Sequence, residues 1–276
     1  MPVWSACLTC PPWLLIQSCR IGDTACGWRR KCWSLQPGAS PNETIPCSLN
    51  REERGTTRMS FWAIVPVKPL RRGKSRLSGV LTEDERTHLN RNLLVHTLDV
   101  LHQVPGLAHV LVVSRDPQAL TLAREHGART LREDGSPHLN LALARATAVA
   151  TTYNARGVLI LPADLPNLAA GDVTAMLEAG QDPPVVVLAP DSRNEGTNAL
   201  LVNPAGLMEF DFGEGSFERH KALAEATGAQ VKVCELASLA LDIDMPEDLA
   251  YLNGQASNWL TGEEEPRPKA PEEIVK

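Results

Sequence analysis

Three short stretches of this chain hold side chains able to manage phosphate chemistry. Leu161-Pro162-Ala163-Asp164-Leu165-Pro166 follows the apolar run 157–161, so Asp164 falls where a buried strand would end and open into a crevice. A carboxylate fixed there between prolines suits the divalent ion that a triphosphate brings with it. Asp242-Ile243-Asp244 adds two more. In extended chain, side chains two apart project to the same side, so Asp242 and Asp244 would face one site while Ile243 packs inward. Three oxygen ligands are what a hard cation such as Mg²⁺ wants, and Asp164, Asp242 and Asp244 are the expected metal set. Capping of a helix that begins at Pro246 is the competing role for Asp244.

The third stretch is Pro66-Val67-Lys68-Pro69-Leu70-Arg71-Arg72-Gly73-Lys74-Ser75-Arg76-Leu77, with five basic side chains in nine positions from Lys68 to Arg76. Such a loop would hold phosphates. Gly73-Lys74-Ser75 imitates the end of a P-loop, but that motif needs a glycine five residues before Gly73, where this chain has Lys68. A solvated basic turn is the bland alternative. Position favours binding, because the first βα loop of an open α/β sheet lies at the carboxyl edge where ligands sit. Two further segments, Gly196-Thr197-Asn198 and Phe212-Gly213-Glu214-Gly215-Ser216-Phe217, each set glycine beside a hydroxyl just before an ordered element. Backbone N–H groups and a hydroxyl there could grip an anion, best at the start of the helix that follows Ser216. Ser216 and His220 stand one turn apart like a nucleophile and its base, yet no G-x-S-x-G elbow surrounds the serine, and hydrolysis is not expected.

These residues need a scaffold, and the apolar pattern supplies one. β-branched runs at 62–67, 109–113, 158–161 and 185–188 alternate with helical stretches at 83–101, 117–126, 139–151 and 171–178, which predicts a parallel, helix-covered sheet. Thr82 with Glu85 makes a capping box for the first helix, whose Leu89, Leu93, Leu94, Leu98 and Leu101 belong to a core. Beyond Pro190 the order loosens to a strand at 198–202, a helix at 217–227, a strand at 231–234 and a last helix at 246–252, which implies an antiparallel excursion.

Composition bounds the rest. The chain has 276 residues, 43% of them apolar, and a formal charge of −6, which argues against a general nucleic-acid binder. No apolar run approaches the roughly 20 residues of a spanning helix, so a soluble, cytoplasmic protein without membrane partners is expected. Six of the seven cysteines precede residue 50. Cys7 and Cys10 have the two-residue gap of a zinc ligand pair, but no second pair follows, and the short apolar stretch 13–16 is no secretory signal. Because Arg58-Met59-Ser60 directly precedes the first strand, residues 1–58 are expected to be a non-native or disordered extension from a misplaced start codon. Residues 59–256 form the expected domain, and 257–276, strongly acidic from Gly262, a disordered tail.

Taken together, Trp62 to Lys68 with Lys74-Ser75-Arg76-Leu77, Leu139-Asn140-Leu141-Ala142-Leu143, the Asp164 segment, Gly196 to Leu200, Phe212 to Phe217 and Asp242-Ile243-Asp244 resemble, from Met59 to about Leu252, the guanylyltransferases of deazaflavin coenzyme F-420 biosynthesis. That resemblance implies an α/β fold of nucleotidyltransferase type (GT-A/Rossmann-like), a mostly parallel sheet with helices on both faces. It implies transfer of GMP from GTP to the phosphate of phosphoenolpyruvate, or in methanogens of 2-phospho-L-lactate. Lys68, Lys74 and Arg76 would then meet the GTP phosphates, with Lys68, Lys74 and Asp164 catalytic; Asp164, Asp242 and Asp244 would hold Mg²⁺. Thr197, Gly213 and Ser216 would contact the acceptor, and Asn140 the guanine or ribose. The family's product is labile, which implies handover to the transferase that consumes it. A nucleotidyltransferase charging a sugar phosphate or the molybdenum cofactor would share the strand-end Asp and the basic loop, and a nucleotide-binding module without turnover would share the fold.

Overall fold

The computed structural model describes residues 60–252 and 259–261. The cysteine-rich segment 1–58 and the acidic stretch 262–276, with the expectations for them, lie outside the described residues. Strands buried on both faces need near-continuous apolar sequence, and the first four such runs form β1 (Phe61–Val67), β2 (Leu107–Ser114), β4 (Gly157–Ile160) and β5 (Val185–Pro190). Between them lie α1 (Glu83–His102), α2 (Pro117–Glu125), α3 (Leu139–Thr152) and α4 (Ala170–Ala179). β3 (Arg129–Arg132) was not anticipated, because Arg-Thr-Leu-Arg on an edge strand carries no apolar run. Then follow β6 (Thr197–Asn203), α5 (Ser216–Ala226), β7 (Gln230–Val233) and the single turn α6 (Ala237–Ala240). The helix expected at Pro246–Leu252 is a 3₁₀-helix, as is Ser75–Gly79 within the basic loop.

The seven strands lie in the order β3-β2-β1-β4-β6-β5-β7. β1 pairs in parallel with both β2 and β4, while β6 runs antiparallel between β4 and β5, which is the expected excursion. From β1 the chain steps outward to β2 and β3, then returns to the other side of β1 as β4. The carboxyl ends of β1 and β4 therefore flank a topological switch point, where their loops diverge and leave a crevice.

Alternation along β1 sends Phe61, Ala63 and Val65 to one face, against Leu94 and Leu98 of α1, Leu120 of α2 and Met176 of α4. Trp62 and Ile64 go to the other, against Leu143 and Ala146 of α3 and Phe217 of α5. A third apolar cluster joins Leu77, Leu81, Leu89, Leu93, Ile243 and Leu252, with Trp259 and Leu260 packed on it. The span expected as a tail from 257 thus contributes Trp259 to the fold, and Asn92 Nδ2 of α1 donates to its carbonyl at 2.9 Å. This cluster decides the geometry of the site. Leu77 anchors the basic loop and Ile243 the Asp242–Asp244 segment, so burying both side chains in one place brings lysine and aspartate face to face. Each fully buried side chain of this size contributes about 1.5–3 kcal/mol. Among the described residues, no helix is long and apolar enough to cross a membrane.

Candidate functional site

The basic loop is held at both ends before it reaches the crevice. The backbone N–H of Leu70 donates to Asp116 Oδ2 at 2.8 Å, and its carbonyl accepts from Asn90 Nδ2 at 2.7 Å. Gly73 passes so close to Asn90 that a Cβ would lie 2.6 Å from its Nδ2. Lys74 then takes the left-handed conformation at φ 56°, which costs a side-chain-bearing residue roughly 1–2 kcal/mol. Such strain persists where surrounding structure over-determines it. Here the result is a lysine turned inward.

Lys74 Nζ lies 3.0 Å from Asp164 Oδ2 and 3.2 Å from Asp244 Oδ1, with its side chain only 6% exposed. Burial alone would push the ammonium pKa down, but the two carboxylates outweigh it and hold the value above the ordinary lysine range. Asp164 is positioned from the other side: the N–H of Ile243 donates to its backbone carbonyl at 3.1 Å. Carboxylate oxygens of Asp164, Asp242 and Asp244 all lie within 4.8 Å of one another. Burial, and then the charges of Asp164 and Asp244, push Asp242 up to about 6 against the pull of Lys74. Asp164 Oδ1 is buried without a hydrogen-bond partner. Three crowded carboxylates, one lysine and an orphaned oxygen make a donor set short of positive charge, which a divalent cation fits. The Asp244 N–H donates to Asp248 Oδ2 at 2.9 Å, so the capping carboxylate of the 3₁₀-helix is Asp248 and Asp244 keeps its side chain for the cluster. Arg76 reaches Asp244 Oδ2 at 3.1 Å from an exposed position, where an ion pair is worth little. Lys68 is exposed at the mouth of the same crevice.

That crevice is a cavity of about 390 Å³. Lys74, Asp164 and Asp244 line one end, and Arg115 and Glu133, beyond the carboxyl ends of β2 and β3, line another part of its wall. Neither Arg115 nor Glu133 was singled out by sequence, since the signal for Glu133 depends on recognising β3.

Thr197, Gly213 and Ser216 form a second group at the same sheet edge. β6 runs against β4 with Leu200 opposite Ile160, so Thr197, three residues earlier, lies past the end of β4 as Asp164 does. Gly213 at φ 145° and Gly215 at φ 69° allow the chain to double back into α5. Thr197 N–H donates to Ser216 Oγ at 3.0 Å, and Ser216 Oγ lies 3.4 Å from Thr197 Oγ1. His220, fully buried, completes the set. The N–H of Asp211 can only donate, so His220 Nε2 accepts it at 3.0 Å, and Nδ1 carries the proton that meets Thr197 Oγ1 at 3.0 Å. Burial first, then Arg219, lowers the His220 pKa to about 4 despite Asp211, so the ring is neutral. Ser216 thus has no base, and the arrangement orients hydroxyls rather than activating a nucleophile. Asn140 does not line the cavity. Its Oδ1 accepts from Phe212 N–H at 2.9 Å and its Nδ2 reaches the Phe212 carbonyl at 3.3 Å, so the amide ties α3 to the glycine-rich turn.

Known proteins resemble this chain in fold and in sequence. Several solved structures share the fold at low identity. A putative nucleotide-diphospho-sugar transferase from Desulfovibrio desulfuricans superposes with TM-score 0.59 at 16% identity, covering 71% of this chain and 88% of that one. A nucleotidyl transferase from Methanothermobacter thermautotrophicus gives 0.52 at 14%, covering 72% and 98%. Identity is higher among sequence relatives. A protein of Rubrobacter xylanophilus named phosphoenolpyruvate guanylyltransferase is 45% identical over 194 residues, 70% of this chain and 94% of its own length. One of Methanothermobacter thermautotrophicus named 2-phospho-L-lactate guanylyltransferase is 33% identical over 202 residues, 72% and 88%. The family model described as guanylyl transferase CofC like matches residues 61–258, most of the chain and all of the site, and this chain belongs to that family.

Proposed function

We propose that this chain transfers GMP from GTP to the phosphate of phosphoenolpyruvate, giving enolpyruvyl-diphospho-guanosine and pyrophosphate for deazaflavin coenzyme biosynthesis. The observation that carries the proposal is the Lys74 ammonium held between Asp164 and Asp244 at the end of a nucleotide-sized cavity. Its chemistry is phosphoryl-type displacement. An oxygen of the acceptor phosphate bonds to the α-phosphorus of GTP, the bond from that phosphorus to the bridging oxygen breaks, and pyrophosphate leaves with the electron pair. The attacking oxygen is already anionic, so the protein needs positioning and charge neutralisation more than a general base.

Lys74 offers a buried cation to the triphosphate, with Lys68 and Arg76 at the more exposed rim. Asp164, Asp242 and Asp244 would hold Mg²⁺, which when bound would supply positive charge to neutralise the phosphates. Thr197, Gly213 and Ser216 orient the acceptor: the neutral His220 fixes the Thr197 hydroxyl, and Asn140 fixes the turn that contains Gly213. Phosphoenolpyruvate is preferred over 2-phospho-L-lactate because relatives of 32–45% identity carry the former name and one of 33% the latter. Handover of the labile product to the transferase that consumes it completes the proposal.

Pyrophosphate release from GTP tests it, with phosphoenolpyruvate, 2-phospho-L-lactate and sugar phosphates as parallel acceptors. Phosphoenolpyruvate should give the highest kcat/KM. Asp164→Asn should lower that value on the order of 10²–10³-fold, comparable with loss of other single charge-stabilising groups. Near-normal turnover by Asp164→Asn would remove the carboxylate cluster from the mechanism.

A further inference from the structure

The proposed transfer uses the Lys74 end of the cavity and leaves its β2–β3 side unexplained. Between β3 and β4 lie three strand spacings, roughly 14 Å across the sheet edge, a span suited to a nucleoside whose phosphates rest at Asp164. Glu133 is the first residue after β3 and Arg115 the first after β2. Glu133 Oε1 accepts the His138 N–H at 3.0 Å, which leaves lone pairs on both oxygens. Arg115 Nε lies 3.5 Å from Glu133 Oε2, too far for the hydrogen bond it otherwise lacks, while another guanidinium N–H donates to the Gly135 carbonyl at 2.6 Å. Apolar wall flanks the pair: Pro66, Val113 and Ala142, with Leu139 left 45% exposed at the start of α3.

A planar base fits beside such surfaces, and the two charged groups are complementary to one base. Guanine presents an acceptor at O6 beside donors at N1 and the 2-amino group. A carboxylate accepts from adjacent N–H donors, and an arginine donates to O6. Adenine reverses the pattern, with an amino donor at position 6 and an acceptor at N1, so it would set lone pair against lone pair at Glu133 and donor against donor at Arg115. Leaving buried polar groups unpaired is what makes rejection strong. Among the polar side chains lining the cavity, Asn90 is committed to Leu70, His138 Nδ1 accepts the Leu141 N–H, Lys74, Asp164 and Asp244 bind one another, and Lys68 stands exposed at the mouth as a donor only, so Glu133 and Arg115 are the pair that sets free acceptors beside a donor.

We propose that Glu133 is the residue that selects guanine, accepting from its N1–H and 2-amino groups, with Arg115 reading O6. The inference rests on the proposed use of GTP and adds to it the side chain that sets the base preference. Glu133→Gln keeps size and the contact to His138 while removing one acceptor; Arg115→Met removes the O6 donor and serves as an independent variant. Two readouts are needed: kcat/KM for pyrophosphate release with GTP, ITP and ATP, and calorimetric binding of the same nucleotides with Mg²⁺ and no acceptor.

Glu133→Gln should lower the GTP-to-ATP preference by on the order of 10- to 100-fold in both readouts, mostly through KM. ITP, which lacks the 2-amino group, should bind wild type less well than GTP and lose less than GTP does on Glu133→Gln. Arg115→Met should weaken GTP and ITP alike while leaving ATP less affected. Equal losses for GTP and ATP would overturn the proposal, and together with wild-type rejection of 2′-deoxy-GTP would assign Glu133 to the ribose. If wild type binds GTP over ATP but releases no pyrophosphate with any acceptor, the proposed reaction fails while base selection by Glu133 is still decided by calorimetry. Wild-type binding without preference for GTP would overturn both.

Discussion

His220 ties the Thr197 hydroxyl to the fold only while its ring is neutral, and that makes a measurable pH dependence. Its pKa is about 4 in the folded protein against about 6.5 for an unperturbed histidine. The unfolded chain therefore binds a proton that the native state refuses between those values, and stability falls as pH drops through that window. About one pH unit above 6.5 and beyond, both states are essentially neutral and His220 contributes almost no slope. At pH 5 the unfolded state is about 32 parts protonated to one neutral and the native state about 0.1 to one, so the native state loses about 2 kcal/mol relative to pH 7.5. Complete passage to pH 4 and below takes the loss to about 3 kcal/mol, from a shift of about 2.5 units at 1.36 kcal/mol each. Asp242 works in the opposite sense: its pKa of about 6 is raised above the ordinary carboxylate range, so its contribution improves as pH falls through 6. A single titration of wild type would mix the two. Comparison with His220→Gln removes the confusion, because every other group is common to both proteins. Urea unfolding at pH 7.5 and pH 5 should show the variant less stable at the higher pH, by about 1–2 kcal/mol for its lost hydrogen bonds, with that deficit closed or reversed at pH 5. An identical deficit at both pH values would refute the claim that His220 is held neutral, and with it the assigned tautomer.

Two further perturbations separate the scaffold from the cation cluster. Gly157→Ala would put a Cβ 2.6 Å from the Phe61 ring and 2.9 Å from the Val202 carbonyl; a loss of about 1–3 kcal/mol is expected from this overpacking, read as a lower unfolding midpoint in urea, with base preference unchanged. Lys74→Met strips the Asp cluster of its buried cation, so the pKa of Asp242, now relieved of the Lys74 pull, should rise further, and thermal stability should increase on acidification from pH 8 to pH 5.5 more steeply than in wild type. Equal pH slopes for the two proteins would show that Lys74 does not neutralise the cluster.

How much of the site a reader of the sequence can find depends on how each residue is brought there. Asp164, Asp242 and Asp244 are legible because local rules place them: an apolar run marks the strand end, and period two puts the paired carboxylates on one side of Ile243. The antiparallel excursion after Pro190 is legible from the loss of regular alternation. Asn140 is harder to read, because an amide at a helix start offers the same signal whether it meets a ligand or a backbone, and its partner Phe212 returns from 72 residues away. Glu133 and Arg115 were invisible for a different reason. An edge strand with one face wet needs no apolar run, so Arg129–Arg132 reads as loop, and a glutamate following a loop has no assigned edge to sit on. The inward turn of Lys74 lies further still from local pattern. It depends on Leu70 being clamped by Asp116 and Asn90, and on Leu77 and Ile243 sharing one apolar cluster across a sequence separation of 166. Charge composition announces a basic loop; tertiary packing alone decides that one of its five cations becomes a buried partner of two carboxylates while Arg76 remains at the rim. Those two cations are therefore unequal despite standing two residues apart, and loss of Lys74 should reach the reacting phosphates where loss of Arg76 alters mainly their approach.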